Sequence, residues 1–322
     1  MREDLLMELE AEYEAQRARN EREETARRER IRREFPAIEA KAEAREELIF
    51  GTIRRILNRT AGAEDLPAQM EQLNRSIGEM LQAAGLPEDY LGPVYRCPVC
   101  RDRGYTGDPV REPCECLKKA YQEKLREKIG LGKNTEETFE KFRAEIIPDT
   151  PLAGSGITQR QLTLAARDRC EKWADSWPET KKRDILLTGQ SGLGKTFLMR
   201  AMAARLIERG ANVLIVSAYT FLQMARKSHY EAENGVKELM EVPVLMIDDL
   251  GSEPMMQNIT VEQLFFLINE RQRRGLSTVI STNLTLKELR ERYTERIASR
   301  LNDPQHCEIL ILEGKDLRKT GR

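Results

Sequence analysis

Long hydrophobic runs are missing from this chain. No apolar stretch approaches the ~20 residues needed to cross a bilayer, so no membrane partner is expected. The opening "MREDLLMELEAEYEAQRARN" lacks the basic, apolar, small-residue order of a secretory signal. A surplus of one charge is missing too: 33% of the residues are charged, yet the formal net charge is −1. That balance excludes a global pull toward nucleic acid or a membrane surface and leaves any DNA binding to local basic patches. There are only two histidines, His229 and His306. The chain therefore reads as cytoplasmic, where thiols stay reduced and disulfides are rare. Clustered cysteines in such a chain read as metal ligands. No internal repeat is evident.

What is there divides the 322 residues into four regions, with room for one full α/β domain and a smaller appended one. Residues 1–94 are rich in Glu, Arg, Ala and Leu, and "EREETARRERIRREF" reads as a solvated helix with intrahelical Glu/Arg pairs. Two patches there, "LLMELEAEY" and "LIFGTIRRIL", are apolar enough to pack on another helix or on a partner. Residues 95–134 hold a cysteine-rich, turn-rich segment and the short helix "LKKAYQEKLREKIGL". Residues 135–161 read as an extended linker. Over 162–322, the runs "DILLTG", "NVLIVSA", "VPVLMIDDL", "STVISTN" and "CEILILE" alternate with amphipathic helices. Short Ile/Leu/Val runs in that rhythm predict an α/β fold with a mostly parallel sheet covered on both faces.

"GQSGLGKT" fits G-x-x-x-x-G-K-[ST] without a gap, follows an apolar strand and opens a helix. The motif comprises Gly189, Gln190, Ser191, Gly192, Leu193, Gly194, Lys195 and Thr196. Its glycines let backbone N–H groups turn inward around a phosphate, and the helix N-terminus adds partial positive charge. Lys195 reaches the β- and γ-phosphates and Thr196 gives its hydroxyl oxygen to Mg²⁺. ATP and Mg²⁺ are the expected ligands. "VLMIDDLG" is an apolar strand ending in Asp248 and Asp249, at the edge where parallel sheets bind ligands. Asp248 is the candidate for holding Mg²⁺ through water, and Asp249 for polarising the attacking water. Most of the catalysis would be charge stabilisation. "STVISTN" ends in Asn283, an amide able to orient that water; taken alone, Asn at a strand end is more often a turn residue.

Four of the six cysteines fall in "YRCPVCRDRGYTGDPVREPCECLKK". Cys97 and Cys100 form a tight knuckle, and Cys114 and Cys116 a C-x-C pair 13 residues on. Four thiolates closing a tetrahedron would make a structural Zn²⁺ site, and both histidines lie far away. A segment this short cannot bury a core, so metal would supply its folding energy. An iron–sulfur cluster lacks its usual spacings, and a catalytic dithiol lacks a thioredoxin-like strand pattern. Cys170 and Cys307 read as small buried hydrophobes.

The order of "LLTGQSGLGKTFL", "VLMIDDLGSEP", "TVISTNLTLKEL" and "YTERIASRL" resembles the AAA+ ATPases of the DnaC/DnaI helicase-loader and IstB group over residues 135–322. The resemblance implies that Arg300, in "SRL", is a finger reaching a neighbouring subunit's γ-phosphate, with Arg296 as the alternative one turn earlier. It also implies that Arg318 holds the sensor-2 place and that Phe139 and Phe142, in "TFEKF", lie near the adenine. A finger supplied in trans means self-association. "CPVCRDRGY…CECLKK" is similar to the zinc-binding N-terminal region of DnaI-type loaders, which holds the replicative hexameric helicase while the ATPase engages single-stranded DNA. The leading expectation is thus an ATP-dependent helicase loader. The alternatives are an IstB-like transposition helper and a zinc-containing adaptor switched by nucleotide. Two basic clusters are candidates for the single strand: Arg271, Arg273 and Arg274, and "FLQMARKSHY" with Arg226, Lys227 and Tyr230.

Overall fold

A computed structural model of the protein describes residues 3–58, 66–131, 136–154, 156–231, 235–256 and 260–319, with backbone alone at 227–231 and 235–236. The chain divides into two compact units, Leu6–Leu117 and Lys118–Arg322 together with Met1–Leu5. Among the described residues no helix is long and apolar enough to cross a membrane.

The first unit is built on helices α1 (Glu3–Glu34), α2 (Pro36–Leu57) and α3 (Leu66–Ala83). Pro36 opens α2, where its missing N–H is lost without cost. Ile31, Ile38, Ile77 and Leu81 form the core between the three helices, with Phe35, Leu86 and Tyr90 packed on it. The solvated face of α1 carries the expected pairs, Arg27–Glu23 at 2.6 Å and Arg30–Glu34 at 2.9 Å. Exposed pairs of this kind add little stability. A two-residue hairpin follows, β1 (Tyr105–Thr106) against β2 (Glu112–Pro113), and leads into α4 (Glu115–Lys128).

The second unit is a three-layer α/β fold. Its sheet comprises β3 (Asp184–Thr188), β4 (Val213–Ser217), β5 (Val244–Leu250), β6 (Ser277–Thr282) and β7 (Cys307–Ile311). Every pairing is parallel, in the order β4-β5-β6-β3-β7. The five apolar runs of the sequence are these five strands. The central strands β3 and β6 are buried along their whole length, which is why they lack polar alternation. Helices α5 (Gln159–Ser176), α6 (Lys195–Glu208), α7 (Ala218–Glu231), α8 (Gly235–Glu241), α9 (Thr260–Arg273) and α10 (Leu286–Leu301) cover the sheet. Thr158 with Gln161, and Thr285 with Glu288, close capping boxes that start α5 and α10. Leu186, Ile247 and Ile280 pack against Phe221, Leu264 and Tyr293 in the main core.

One basic cluster offered for DNA is not a surface cluster. Arg271 is fully buried and donates to the carbonyls of Leu239 (2.7 Å), Val242 (2.8 Å) and Ser277 (2.5 Å) and to Thr278 Oγ1 (3.1 Å). Its guanidinium caps carbonyls at the end of α8, a structural job, and burial pushes its pKa down to about 10. Arg273 and Arg274 both bind Glu270, whose carboxyl they pull down to about 2. The three arginines therefore present no combined phosphate-binding face.

Candidate nucleotide site and cysteine cluster

The carboxyl ends of β3, β5 and β6 bring the predicted nucleotide residues together. The loop after β3 runs over Gly189–Gly194 into α6, and two of its glycines are required by contact. A Cβ on Gly189 would sit 2.1 Å from the carbonyl oxygen of Leu312, and one on Gly192 would sit 1.9 Å from Asp316 Oδ1. Both have φ values, 145° and 82°, that side-chain-bearing residues rarely adopt.

Lys195, at the first turn of α6, is buried. Its Nζ donates to the carbonyls of Gly189 (2.5 Å) and Gln190 (2.7 Å) and to Asn283 Oδ1 (2.8 Å). The same Asn283 amide donates to Asp249 Oδ1 at 2.6 Å, so it bridges the lysine and the second acid. Thr196 Oγ1 lies 3.1 Å from both oxygens of Asp248, which also accepts from Ser281 Oγ at 2.5 Å. Asp249 takes a left-handed φ of 58°, its N–H held by Ser281 Oγ at 2.8 Å. A non-glycine residue in that region costs of order 1 kcal/mol or more, and such conformations gather at functional sites. Burial pushes the Lys195 pKa down, Asp249 and Asp248 oppose that, and Arg318 reinforces it. An anionic ligand on the loop would supply the counter-charge that favours the ammonium form.

Above the loop lies an open cavity of about 870 Å³, lined by Ser191–Phe197, Asp248, Asp249, Ser281, Asn283 and Arg318, with Phe142, Ile146 and Ile147 on its apolar side. Ring and acid ends are thus both present, an arrangement matched to a nucleotide. Gly189 and Gln190 contribute carbonyls that hold Lys195 and do not line the cavity. Arg318 donates to Ser191 Oγ at 3.1 Å, and Leu317 N–H to the Gly192 carbonyl at 2.9 Å. Gln159 on α5 clamps Lys315 through both its N–H and its carbonyl at 2.9 Å, which fixes this segment over the loop. Of the two phenylalanines, only Phe142 faces the cavity, packing edge-on against Phe197. Phe139 is buried away from it, with the Arg167 and Arg205 guanidiniums 5.9 and 6.0 Å from its ring. Arg296 and Arg300 are exposed on α10 and do not line the cavity. Sequence reasoning missed Ser281, whose hydroxyl joins both acids. Its place two residues before Asn283 on the same strand face was the available signal. Arg226 is exposed on α7; the side chains of Lys227 and Tyr230 lie outside the described residues.

In the first unit, one sulfur from each of Cys97, Cys100, Cys114 and Cys116 lies within 4.8 Å of every other. Two separations are 3.9 Å (Cys97–Cys114) and 3.4 Å (Cys100–Cys116). Tetrahedral Zn–S bonds of about 2.3 Å place sulfurs about 3.8 Å apart, so this donor set fits one zinc ion. Behind the first knuckle sits Asp102, buried, accepting from the N–H groups of Arg96 and Cys97 and from Asn20 Nδ2, all at 2.8 Å. Burial opposes its charged form, but these donors hold its carboxyl below the usual range. Cys170 and Cys307 are buried, and burial pushes the Cys170 thiol up to about 12, as expected of inert core residues.

Fold and site define an AAA+-type P-loop ATPase. Residues 162–322 match the family model described as IstB-like ATP binding protein, and the chain belongs to that family. Among curated proteins, the replicative helicase loader DnaI of Bacillus subtilis (strain 168) is 31% identical over 134 residues, covering 41% of this chain and 43% of that protein. The phage-like element PBSX protein XkdC of the same organism is 24% identical over 262 residues, covering 76% of this chain and 92% of that protein. The replicative helicase loader DnaC of Escherichia coli (strain K12) is 25% identical over 123 residues, covering 36% of this chain and 49% of that protein. The matches thus span less than half the length of either loader.

Proposed function

We propose that the protein is an ATP-dependent loader of a replicative hexameric helicase, acting in the cytoplasm as an oligomer on single-stranded DNA. The observation that carries the reading is the pairing, in one chain related to DnaI and DnaC, of a P-loop cavity with a separate four-cysteine unit. In this reading Lys195 clamps the β- and γ-phosphates, and Thr196 and Asp248 hold Mg²⁺. Asp249 polarises the attacking water with Asn283 orienting it. Arg318 would cover the phosphates from above the loop, a role its contact with Ser191 supports. Bound Mg²⁺ would neutralise charge developing on the phosphates. Arg300, or Arg296 one turn earlier, would reach a neighbour's nucleotide; the exposure of both suits a group used in trans. Cys97, Cys100, Cys114 and Cys116 would hold one Zn²⁺ and so fix a rigid helicase-docking unit. Arg226, with Lys227 and Tyr230 near it in sequence, would track the single strand.

The test is capture of the chain on the immobilised replicative helicase of its own host, alongside ATPase rates with and without single-stranded DNA. Helicase binding and DNA-responsive turnover are expected. One competitor within the same family, described as IstB-like ATP binding protein, is a helper ATPase for a transposase. Retention on the element's transposase and not on the helicase would select it. Nucleotide binding with no turnover in either condition would select the zinc-containing adaptor.

A further inference from the structure

Helix α10 is two helical segments joined at a kink. Thr294, in its middle, has φ 74° and ψ 158°, a backbone region used almost only by glycine. Sharp helix kinks normally arise at proline, at glycine or at an inserted residue, and α10 contains no proline or glycine. A β-branched residue in that region costs about 1–3 kcal/mol and persists only where its surroundings over-determine it.

Both residues before the kink are held by one acid. Tyr293, fully buried, donates its hydroxyl to Glu253 Oε1, and Arg292 donates to the Glu253 carbonyl at 2.5 Å. Glu253 is itself buried, and its other carboxylate oxygen accepts the Gly251 N–H at 2.8 Å. Gly251 lies two residues beyond Asp249, so this carboxylate ties the loop after the paired acids to the hinge of α10. On its far side, that loop is bound to the nucleotide strands. Thr282 Oγ1 donates to the Leu250 carbonyl at 2.6 Å and accepts from Leu284 N–H at 3.1 Å, while Thr188 Oγ1 donates to the Leu284 carbonyl at 2.7 Å. Gly251 packs directly on Leu284, where a Cβ would sit 2.8 Å from Cδ1. Hydrogen bonds therefore run without a gap from the end of β3, past the residue next to Asn283, to Glu253 and Tyr293. Beyond the kink, Ile297, Ala298 and Leu301 anchor the second segment separately, leaving Arg296 and Arg300 exposed on it.

We propose that Glu253 and Tyr293 are positioning residues: they set the hinge of α10, and so the reach of Arg300 toward a neighbouring subunit, from the state of the loop that follows Asp249. The inference rests on the reading of Arg300 as a finger used in trans. A bound nucleotide contacts the strand ends on one side of the link, and the arginine-bearing segment lies on the other. Each site would then present its finger according to its own occupancy.

Mixed oligomers test this. An Arg300→Ala subunit keeps its nucleotide site, and an Asp249→Asn subunit keeps its finger, so the mixture should recover turnover that neither has alone. Tyr293→Phe is then placed in one partner at a time. In the finger-donating Asp249→Asn subunit it should lower recovered turnover by roughly 10–100-fold, the scale of a misplaced catalytic group. In the Arg300→Ala subunit it should leave turnover within about twofold, since that subunit's own finger is already absent. Glu253→Gln, which keeps one acceptor where the carboxylate has two, should lose less turnover than Glu253→Ala, which should behave as Tyr293→Phe. Thermal midpoint and nucleotide affinity of each variant, measured alone, report folding independently. Equal loss in both placements, or none in the donor, overturns the link. A parent mixture that recovers nothing removes the trans finger first, and the link with it.

Discussion

Replacing Asp102 with Ala tests whether the cysteine unit is organised from behind its ligands. The carboxylate accepts three N–H groups at 2.8 Å, two from the knuckle backbone at Arg96 and Cys97 and one from Asn20 on α1. Hydrogen bonds to a charged group contribute about 1.5–3 kcal/mol each, so three would suggest a loss above 4 kcal/mol. The Arg96 and Cys97 contacts are only partly buried, however, and water can take over those acceptor roles. The smaller scale for groups that orient metal ligands is then the better guide: about 10–100-fold in affinity, or about 1.4–2.8 kcal/mol. Because metal binding and folding of such a unit are one event, that loss should appear directly in zinc affinity. The assay is competition against a chromophoric chelator, using full-length protein that first shows about one zinc per chain, as a single four-thiolate site requires. Asp102→Asn should fall between parent and Asp102→Ala, since an amide keeps one acceptor. Unchanged zinc affinity in Asp102→Ala would refute the reasoning, and a folded parent free of zinc would refute the site.

Asp249→Asn should retain nucleotide affinity and lose about 100-fold or more in turnover, because only water activation is touched; Lys195→Ala should weaken binding itself. Fluorescent nucleotide titration and steady-state ATPase separate the two, and normal hydrolysis by Asp249→Asn would reverse the acid roles. Arg271→Leu leaves the carbonyls of Leu239, Val242 and Ser277 without their donor, at about 1–3 kcal/mol each, partly offset by removing a buried cation. A net loss of about 2–4 kcal/mol in denaturant unfolding is expected, and an unchanged midpoint would contradict it. Burial raises the Asp184 carboxyl pKa, with Gln272 and the Thr278 N–H pulling against that. The fold then keeps a proton that the unfolded chain has released, so this group's stabilisation is full below the ordinary carboxylate value and fades as pH rises through the folded one. Asp184→Asn should flatten that part of the stability–pH curve, and an unaltered slope would exclude Asp184 as its source. Arg226→Ala with Lys227→Ala should weaken single-strand binding and flatten its salt dependence, with nucleotide affinity intact; unaltered affinity and slope would move the DNA surface elsewhere.

The parts of this protein that were legible in its sequence are those where local pattern and final environment coincide. Five apolar runs became five parallel strands because both faces of the sheet are covered, so no outward polar residues interrupt them. The phosphate loop was legible because its glycines answer local backbone needs and its lysine opens the next helix. Four cysteines announced one cluster because knuckle spacing is a local constraint, and the hairpin between the pairs returns the chain to close it.

What stayed hidden depends on partners distant in the chain. Arg271 stands in a basic string that reads as surface, yet its environment is decided by the carbonyl ends of α8, about thirty residues upstream, which need a donor that reaches into the core. Phe139 and Phe142 are spaced as neighbours on one face, but only one meets the cavity, because Arg167 and Arg205 enclose the other. Glu253 illustrates the general case. In sequence it is one more acid after a glycine turn, with nothing to distinguish it from a solvated residue. Its burial follows from Tyr293, forty positions later, which needs an acceptor for its hydroxyl, and from Gly251, whose N–H points the same way. A buried carboxylate with no partner would be costly, so these donors must arrive together. Local pattern therefore finds the groups that would meet ATP, whereas the groups that set their geometry are selected by complementarity across the fold.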